Sequence, residues 1–507
     1  MSKKSKLIAT IMAMCLVISL GVIGILAVRT LNMKIGGNIT FNAEGIAFTV
    51  GEGKFYEDDA TTIYTGISSQ TGKMQGFSMD TDTKLTDVSA AIATWTDLEL
   101  GLDNRGDAIL KFNVSNDMSD KELYIVFDIK HGTNTNDNML IKTELLQTIS
   151  ADDDKDIEIK FDILDMDLNA GLEGFEIAVT FTDKVQANNS GTVTNNTTTA
   201  LTNVKYTVTD ATKKEVSATP VADDIAGNVI IPETVYIGDE PYTVTSIPEY
   251  AFSGNANITS VFIPSTVKTI GESAFDCCCY LVDIQLSEGI ERIESCAFTD
   301  CYWISELILP DSLEYIGSSA FDFLGESTQV TVKFGKNIET IEGSAFSSTG
   351  IVNKELIIPS TVKTIGSAAF SGWLNLEKIT VESGNTKFYA EGNCLIETLT
   401  GRLIKGCKNS IIPNDATIKK IDSYAFWGCD IEHLTIPASV TFIGDYAVAY
   451  CKMLREVIIE ATTPPTLDMG DSFWGTEYPI YVPANSVNAY KTANGWEHFV
   501  NRIFPIS

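Results

Sequence analysis

The stretch Thr269-Ile-Gly-Glu-Ser-Ala-Phe-Asp-Cys-Cys-Cys-Tyr-Leu281 contains the short motif on which the fold depends. This phrase consists of an apolar residue, a second residue that is usually Gly, two further residues and Ala-Phe. The phrase recurs through the second half of the chain, with its aromatic residue at Phe252, Phe275, Phe298, Phe321, Phe346, Phe370 and Phe426, and with Val448 in the last copy. The first three steps are 23 residues each, and the next two are 25 and 24. A short fixed period is typical of stacked units that cannot bury their apolar faces alone. The sequence therefore predicts a solenoid.

The copies also share a pattern after the aromatic residue. A pair of apolar residues with period two, such as Val261/Ile263 and Leu307/Leu309, is often followed by Pro. Period two predicts a strand with one buried face, and Pro ends the strand because it cannot donate to the ladder. The segment before the aromatic residue has room for no more than one helical turn. Each repeat is therefore predicted to be a strand plus a turn or short helical turn.

The residue pattern of these copies resembles that of the BspA-like leucine-rich repeats of bacterial surface proteins. Val261-Phe-Ile-Pro-Ser-Thr-Val-Lys-Thr-Ile-Gly271 and the stretch 269–281 carry the resemblance, together with a hairpin-like insert at 392–407 and a closing segment at 461–491. The resemblance covers residues from about 200 to 507. It implies a leucine-rich repeat solenoid and a cell-surface protein that attaches to host or matrix proteins or to other cells.

The N-terminus predicts export. Three lysines within Ser2–Lys6 precede an apolar run from Leu7 to Val28, which is long enough to span a bilayer as a helix. Positive charge before the run predicts that the N-terminus stays inside and the rest of the chain lies outside. Residues 1–30 are therefore interpreted as a transmembrane signal-anchor, and cleavage near Ala27, which would secrete the protein, is the alternative.

The chain is predicted to be mainly β after this segment. Short alternating stretches, among them Ile109–Val114, Leu123–Ile129 and Phe175–Phe181, predict an antiparallel β-sandwich over residues 34–184. Residues 185–202 are rich in Asn and Thr and are interpreted as a polar linker. The solenoid with its terminal caps is assigned to residues 203–507.

Charge and motifs exclude several classes of function. The formal net charge of −31 makes nucleic acid an unfavourable partner and limits membrane contact to the N-terminal helix. His131, His433 and His498 lie far apart, and no catalytic, phosphate-binding or paired-cysteine metal motif is present in the sequence. The chain is therefore predicted not to be an enzyme and to carry no cofactor and no metal.

Cysteines form a column at one phase of the repeat. Cys278, Cys301, Cys429 and Cys451 each lie three residues after the repeat aromatic residue or its replacement. A small buried apolar residue would give this column, but neighbouring coils also lie within reach of a disulfide. Cys394 and Cys407 would face each other if Thr400-Gly401 formed a two-residue turn. Buried thiols are the preferred interpretation, and disulfides are the alternative.

Two short motifs in the first half have simpler explanations. Asp165, Asp167, Asn169 and Glu176 imitate the spacing of a calcium loop, but Ala170 stands where the loop needs Gly. Solvated acids at a strand end account for them. The tripeptide 105–107 is the Arg-Gly-Asp that integrin ligands display, and a hairpin turn accounts for the same residues.

The outward side of the repeat strands is the predicted binding surface. Residues that flank the inward pair point to the sheet face and form two columns. An exposed apolar residue among acids is typical of an interface, although β-branched residues also stabilise strands on their own account. The predicted binding residues are Phe262, Asp283, Gln285, Glu306, Ile308, Glu355, Ile357, Lys378, Thr380, Glu456 and Ile458, and the columns also include Ser260, His433 and Thr435.

The resulting hypothesis is an exported cell-surface protein whose solenoid binds other proteins. The expected partner is an extracellular host, matrix or cell-surface protein. The alternative is a structural surface protein that assembles with copies of itself through the β-sandwich.

Overall fold

The computed structural model describes most of the second half of the chain and the strands of the first half. The described residues are 32–33, 39–43, 46–50, 54–57, 69–79, 90–101, 108–116, 123–130, 139–142, 145–163, 172–182, 185–187, 191–192, 199–238, 240–468, 471–475 and 477–506. They fall into two compact units. The first draws on Met1–Leu123, His131–Lys142 and Ile149–Asp183, and the second on Tyr124–Lys130, Thr143–Thr148 and Lys184–Ser507.

The described residues of the first half lie mostly in strands, as the alternating stretches predict. The strands are β1 Asn32–Met33, β2 Ile39–Ala43, β3 Ile46–Val50, β4 Lys54–Glu57, β5 Ser69–Met79, β6 Ala90–Gly101, β7 Ala108–Asn116, β8 Leu123–Lys130, β9 Met139–Lys142, β10 Leu146–Ile149, β11 Asp154–Ile163 and β12 Leu172–Thr182. Within the first unit, β1-β5-β6-β12 and β2-β3-β7-β11-β9 pair antiparallel, and β4 also pairs with β7. The face-to-face packing of a sandwich stays a prediction.

Three features that the sequence analysis singled out in the first half lie outside the described residues. They are the apolar segment of residues 1–30, the Arg-Gly-Asp at 105–107 and most of the calcium-like loop that begins at Asp165. Among the residues that the structure does describe, no helix combines the length and the apolar character needed to cross a membrane.

The second unit contains a β-solenoid of about 11 turns with few helices. It opens with β13 Gln186–Ala187, α1 Thr199–Thr202, β14 Val204–Asp210, β15 Glu215–Pro220, β16 Gly227–Ile230, β17 Thr234–Ile237 and β18 Glu240–Ile247. The coils supply β19 Ile258–Ile263, β20 Thr269–Ile270, β21 Asp283–Leu286, β22 Arg292–Ile293, β23 Glu306–Ile308, β24 Tyr315–Ile316, β25 Thr331–Lys333, β26 Thr340–Ile341, β27 Glu355–Ile358, β28 Thr364–Ile365 and β29 Lys378–Val381. The insert and the last coils supply β30 Phe388–Glu391, β31 Cys394–Glu397, β32 Arg402–Lys405, β33 Lys420–Ile421, β34 His433–Ile436, β35 Phe442–Ile443, β36 Glu456–Ile459 and β37 Thr466–Leu467. The chain closes with β38 Ile480–Val482, a 3-10 helix Ala484–Ser486, α2 Val487–Thr492, a 3-10 helix Glu497–Arg502 and β39 Ile503–Pro505.

Parallel ladders hold neighbouring coils in register. The longer strands pair as β16-β19-β21, β23-β25, β27-β29 and β34-β36-β38-β39. The two-residue strands β20, β22, β24, β26 and β28 form a second ladder that begins on β18. After the insert, the two-residue strands β33, β35 and β37 form the same kind of ladder, which begins on β32. Residues one repeat apart are therefore spatial neighbours, as the period predicts.

The repeat phenylalanines form a stack through the core. All of them are buried, and the rings of Phe252, Phe275 and Phe298 lie 5.0 and 5.2 Å apart with interplanar angles of 0° and 1°. The stack continues to Phe321 at 5.7 Å and Phe346 at 5.2 Å. Offset stacking adds about 0.5–1.5 kcal/mol per pair to the burial of each ring. The ring positions read from the sequence are confirmed.

The segment around each phenylalanine is a turn, so of the two predicted alternatives the turn is confirmed and the short helical turn is wrong. Residues two before and two after the ring adopt positive φ in every copy except that of Phe370, as Ser273 (51°) and Cys277 (58°) do around Phe275. This alternation prevents a helix and directs N–H groups toward the next coil. Phe275 N–H donates to Ala297 O at 2.8 Å, and Cys277 N–H donates to Thr299 O at 2.9 Å.

Glycine before the turn is required by close approach of the coils. A Cβ at Gly271 would lie 2.5 Å from Glu249 N, and one at Gly317 would lie 2.4 Å from Ser295 N. Neither glycine has the positive φ that a tight return would demand. Gly therefore makes room for the preceding coil rather than supplying conformational freedom.

The insert is a hairpin with a four-residue loop, not the two-residue turn that would place Cys394 opposite Cys407. In its register Glu397 pairs with Arg402, so residues 398–401 form the loop. Cys394 pairs with Glu391 of β30 instead.

We predict that Phe298→Ala lowers the free energy of unfolding by about 3–5 kcal/mol, because it leaves a cavity between two stacked rings. The matched control is Phe504→Ala at an exposed ring, with an expected loss below about 1 kcal/mol. Urea unfolding of the full chain, followed by circular dichroism, measures both. Equal losses for the two variants would contradict a stack that stabilises the solenoid.

Candidate interaction face on the repeat sheet

The predicted binding residues lie on the outward side of the longer strands, here called the repeat face. Parallel pairing places Asp283 beside Ser260 and Gln285 beside Phe262. Farther along, the same register sets the pairs Glu355↔Lys378, Ile357↔Thr380, His433↔Glu456 and Thr435↔Ile458. Within each pair of strands the two columns are continuous.

Two isoleucines provide the exposed apolar surface of the repeat face. Ile308 is 50% exposed and Ile357 is 47% exposed, whereas Ile458 is half-buried. For comparison, the inward neighbours Leu307 and Leu356 are fully buried. The face therefore presents large aliphatic side chains singly, at two places along the solenoid.

The predicted exposure of Phe262 is wrong. This side chain is only 9% exposed, and Ser260 on the same strand is also buried. Its neighbour Gln285 accepts a hydrogen bond at Oε1 from the backbone N–H of Leu145, at 3.0 Å. Leu145 is itself buried and belongs to the same compact unit as the solenoid. A segment more than a hundred residues earlier thus lies at this end of the face.

Charges on the repeat face are paired across neighbouring coils. Lys378 Nζ lies 2.6 Å from Glu355 Oε1, and His433 Nδ1 lies 3.1 Å from Glu456 Oε1. The hydrogen bond from Lys378 lowers the pKa of Glu355. Exposed pairs of this kind contribute about 0–1 kcal/mol each. These pairs therefore follow from the alignment of the coils, and the isoleucines beside them are the apolar contacts that a partner can reach.

Sequence reasoning missed one coil of the repeat face. β25 pairs with β23, so Thr331 lies beside Glu306 and Lys333 beside Ile308. The step between Phe321 and Phe346 is 25 residues, which hid this strand from a 23-residue template. Around Ile308 the face also forms a shallow depression of about 320 Å³, which Phe262, Asp283 and Glu306 help to line.

Aromatic residues on the turns of the last coils were also missed. Tyr424 stacks on Tyr446 at 5.4 Å and meets Trp427 at 6.2 Å, and Trp427 meets the exposed Tyr450 at 6.3 Å. They lie within two residues of Phe426 or Val448, the residues at the position of the repeat phenylalanine. Other copies mostly have small or polar residues there. That difference was the signal that could have found them.

The C-terminal cap has a cleft of about 810 Å³ that includes Trp474, His498 and Arg502. Its basic group serves the fold, because Arg502 donates from Nη1 to Phe473 O at 3.1 Å and from Nε to Tyr478 O at 2.9 Å.

The column of cysteines has a structural explanation in hydrogen bonding. Cys278 Sγ donates to Phe252 O at 3.4 Å, Cys301 Sγ to Phe275 O at 3.5 Å and Cys451 Sγ to Phe426 O at 3.0 Å. Each thiol thus meets the carbonyl of the repeat phenylalanine one coil earlier. All nine described cysteines are free thiols.

Lys405 is a buried titratable group that the sequence did not indicate. The side chain is 1% exposed, and Nζ has no hydrogen-bond partner among the residues that the structure describes. Burial lowers the pKa of Lys405. The next residue, Gly406, takes the repeat position, since its N–H donates to Ala425 O at 2.9 Å as the phenylalanines do. The hairpin therefore replaces a coil and directs a lysine into the core.

The comparisons with known proteins identify the repeat type. Residues 239–352 and 396–465 match the BspA type leucine rich repeat region, in 6 copies. The chain is similar to a leucine-rich cell surface protein from Faecalibacterium prausnitzii, at 22% identity over 60% of this chain and 93% of that chain, with a TM-score of 0.46. It is also similar to the pneumococcal vaccine antigen PcpA, at 20% identity over 60% of this chain and 96% of that chain, with a TM-score of 0.40. No curated protein matches the chain.

We predict that the chain, denatured without reductant, takes up alkylating reagent at each of the nine described cysteines, because they are thiols. In the native chain the buried Cys278, Cys301, Cys429 and Cys451 should stay unmodified. Peptide mass spectrometry measures both states. Two cysteines of neighbouring coils that react only after reduction would establish a disulfide instead.

We predict that Lys405→Met stabilises the chain at pH 7. A lysine whose pKa is lowered in the folded state binds its proton more tightly in the unfolded state. The resulting loss of stability is complete below the folded-state pKa and disappears above the ordinary lysine pKa of about 10.4. The advantage of the variant should therefore narrow as the pH rises. Urea unfolding from pH 7 to about 11, a range that includes the ordinary lysine pKa, measures the difference in stability from wild type.

The control is Lys408→Met, at an exposed lysine three residues away. It should change stability little at every pH. A Lys405→Met variant that is less stable than wild type throughout would show that the ammonium group is satisfied in the fold.

Proposed function

Since residues 239–352 and 396–465 are BspA-type leucine-rich repeats, we propose that the chain is an exported cell-surface protein whose solenoid binds other proteins. The observation that carries this proposal is the repeat face, where Ile308 and Ile357 stand exposed on ladders of paired strands. Apolar side chains held on a rigid scaffold lose little entropy when a partner covers them.

The shape of the repeat face suits a large partner. Its depression of about 320 Å³ is shallow, and the exposed isoleucines lie two coils apart, on β23 and β27. Solenoids offer extended surfaces of this kind, and protein interfaces combine an apolar centre with a polar rim. On the repeat face the paired Glu355 and Lys378 supply such a rim beside Ile357.

Electrostatics favours a protein partner over other macromolecules. With a net charge of −31 the chain repels the phosphates of nucleic acids and of anionic lipids. Host, matrix or cell-surface proteins are the proposed partners, with adhesion as the role. The apolar run Leu7–Val28 is proposed to hold the chain in the cytoplasmic membrane. We propose no enzymatic activity and no cofactor for the protein.

We predict that the Ile308→Asp/Ile357→Asp double variant folds but loses binding. The full chain, in mild detergent, first captures partners from extracts of host and matrix proteins, and the recovered partner is then purified and titrated. Wild type should saturate, and the double variant should bind at least about tenfold more weakly, since a buried hot spot costs about 2 kcal/mol or more. Phe262 is left unchanged because it is buried.

The matched control is Leu399→Asp, which places the same charge at a side chain that is 83% exposed in the loop of the insert. It should bind like wild type. Equal binding by the double variant would move the site away from the repeat face. If no partner saturates and the chain associates with itself in sedimentation experiments, assembly through the sandwich replaces the binding role.

A further inference from the structure

Three side chains with metal-binding atoms converge on the turn side of two neighbouring coils. One oxygen each of Asp276 and Asp300 and the Sγ of Cys277 all lie within 4.8 Å of one another. Sγ is 3.5 Å from Asp276 Oδ1 and 3.7 Å from Asp300 Oδ2. All three residues are half-buried. The distances allow a single ion to contact all three atoms.

The repeat itself creates this convergence. Cys277 and Asp300 each stand two residues after a repeat phenylalanine, and both have positive φ, at 58° and 61°. The hydrogen bond from Cys277 N–H to Thr299 O, at 2.9 Å, joins the two coils at this point. Asp276 precedes Cys277 in the same turn. The three groups are therefore held by the backbone ladder rather than by a mobile loop.

The charges of the cluster are not compensated by the protein. Among the described residues, no ion pair involves Asp276 or Asp300. Asp300 accepts a hydrogen bond at Oδ1 from Tyr302 OH at 2.9 Å, which orients the carboxylate and leaves Oδ2 toward the thiol. Hydrogen bonds of this kind are typical of the groups that orient metal ligands. Burial, and to a smaller degree Asp300, raises the pKa of Asp276.

We infer that Asp276, Cys277 and Asp300 form a binding site for a divalent cation that accepts sulfur, with Zn²⁺ as the best fit. Zinc takes thiolate and carboxylate ligands together, whereas Ca²⁺ and Mg²⁺ prefer oxygen alone. On binding, the Cys277 thiol becomes a thiolate and its proton passes to solvent. Three protein ligands leave a fourth position for water. This inference does not depend on the proposed binding of proteins.

Zinc and cobalt titrations of the full chain test the site. A competing chromophoric chelator should show one Zn²⁺ per chain, and Co²⁺ should give a thiolate-to-cobalt charge-transfer band. Cys277→Ser and Asp300→Asn should each weaken Zn²⁺ binding at least about tenfold, and Cys277→Ser should abolish the band. Asn tolerates positive φ, so Asp300→Asn keeps the turn, and circular dichroism checks the fold of both variants.

The matched control is Asp322→Asn. Asp322 holds the same position after Phe321 that Asp276 holds after Phe275, and its backbone carbonyl, which the variant keeps, accepts from Asp300 N–H at 3.1 Å. The variant therefore removes one nearby negative charge and none of the three ligand atoms. It should bind Zn²⁺ within about twofold of wild type. Equal Zn²⁺ affinity of wild type, Cys277→Ser and Asp300→Asn, or a Co²⁺ complex without the thiolate band, would overturn the assignment.

Discussion

The hydrogen bond from a repeat phenylalanine to the alanine one coil later, which six of the seven phenylalanines make, is the contact on which the rest of the structure depends. Phe252, Phe275 and Phe298 all donate in this way, at 2.7–2.8 Å. The bond fixes the spacing of the coils, and the spacing lets the rings stack. Once the coils are aligned, equivalent residues form columns. The thiols that meet phenylalanine carbonyls and the ion pairs of the repeat face both follow from that alignment.

The sequence predicted what depends on the period and missed what depends on other segments. The buried phenylalanines and the register of the outward columns follow from a 23-residue spacing. The burial of Phe262 does not, because Leu145, which contacts its neighbour Gln285, lies far away in the sequence. Lys333 was not identified from the sequence because its coil is two residues longer than the 23-residue repeat. Turn geometry was the other error, since alternating positive φ at residues other than Gly leaves no simple sequence signal.

The three-residue cluster shows the same limit for chemistry. Metal motifs are recognised in sequence by close spacing, but Cys277 and Asp300 are a full repeat apart. Only the stacking of coils brings them together. The repeat face has the opposite property, since every coil contributes the same two positions. The few coils that carry an isoleucine at these positions, rather than a charged or polar residue, therefore determine where the repeat face is apolar.

The turn ladder gives the solenoid a direction, with consequences for its length. The turn N–H groups around Phe252, Phe275, Phe298, Phe321, Phe346 and Phe426 point toward the C-terminus, and those of Val448 and Tyr450 are finally accepted by Ser472 O and Trp474 O. An interior coil thus meets the same donors and acceptors whatever its number. Whole coils can be gained or lost by duplication and deletion without new bonding chemistry, provided that the closing segment remains. Evolution can therefore change the number of coils readily, whereas the segment that closes the solenoid must be kept.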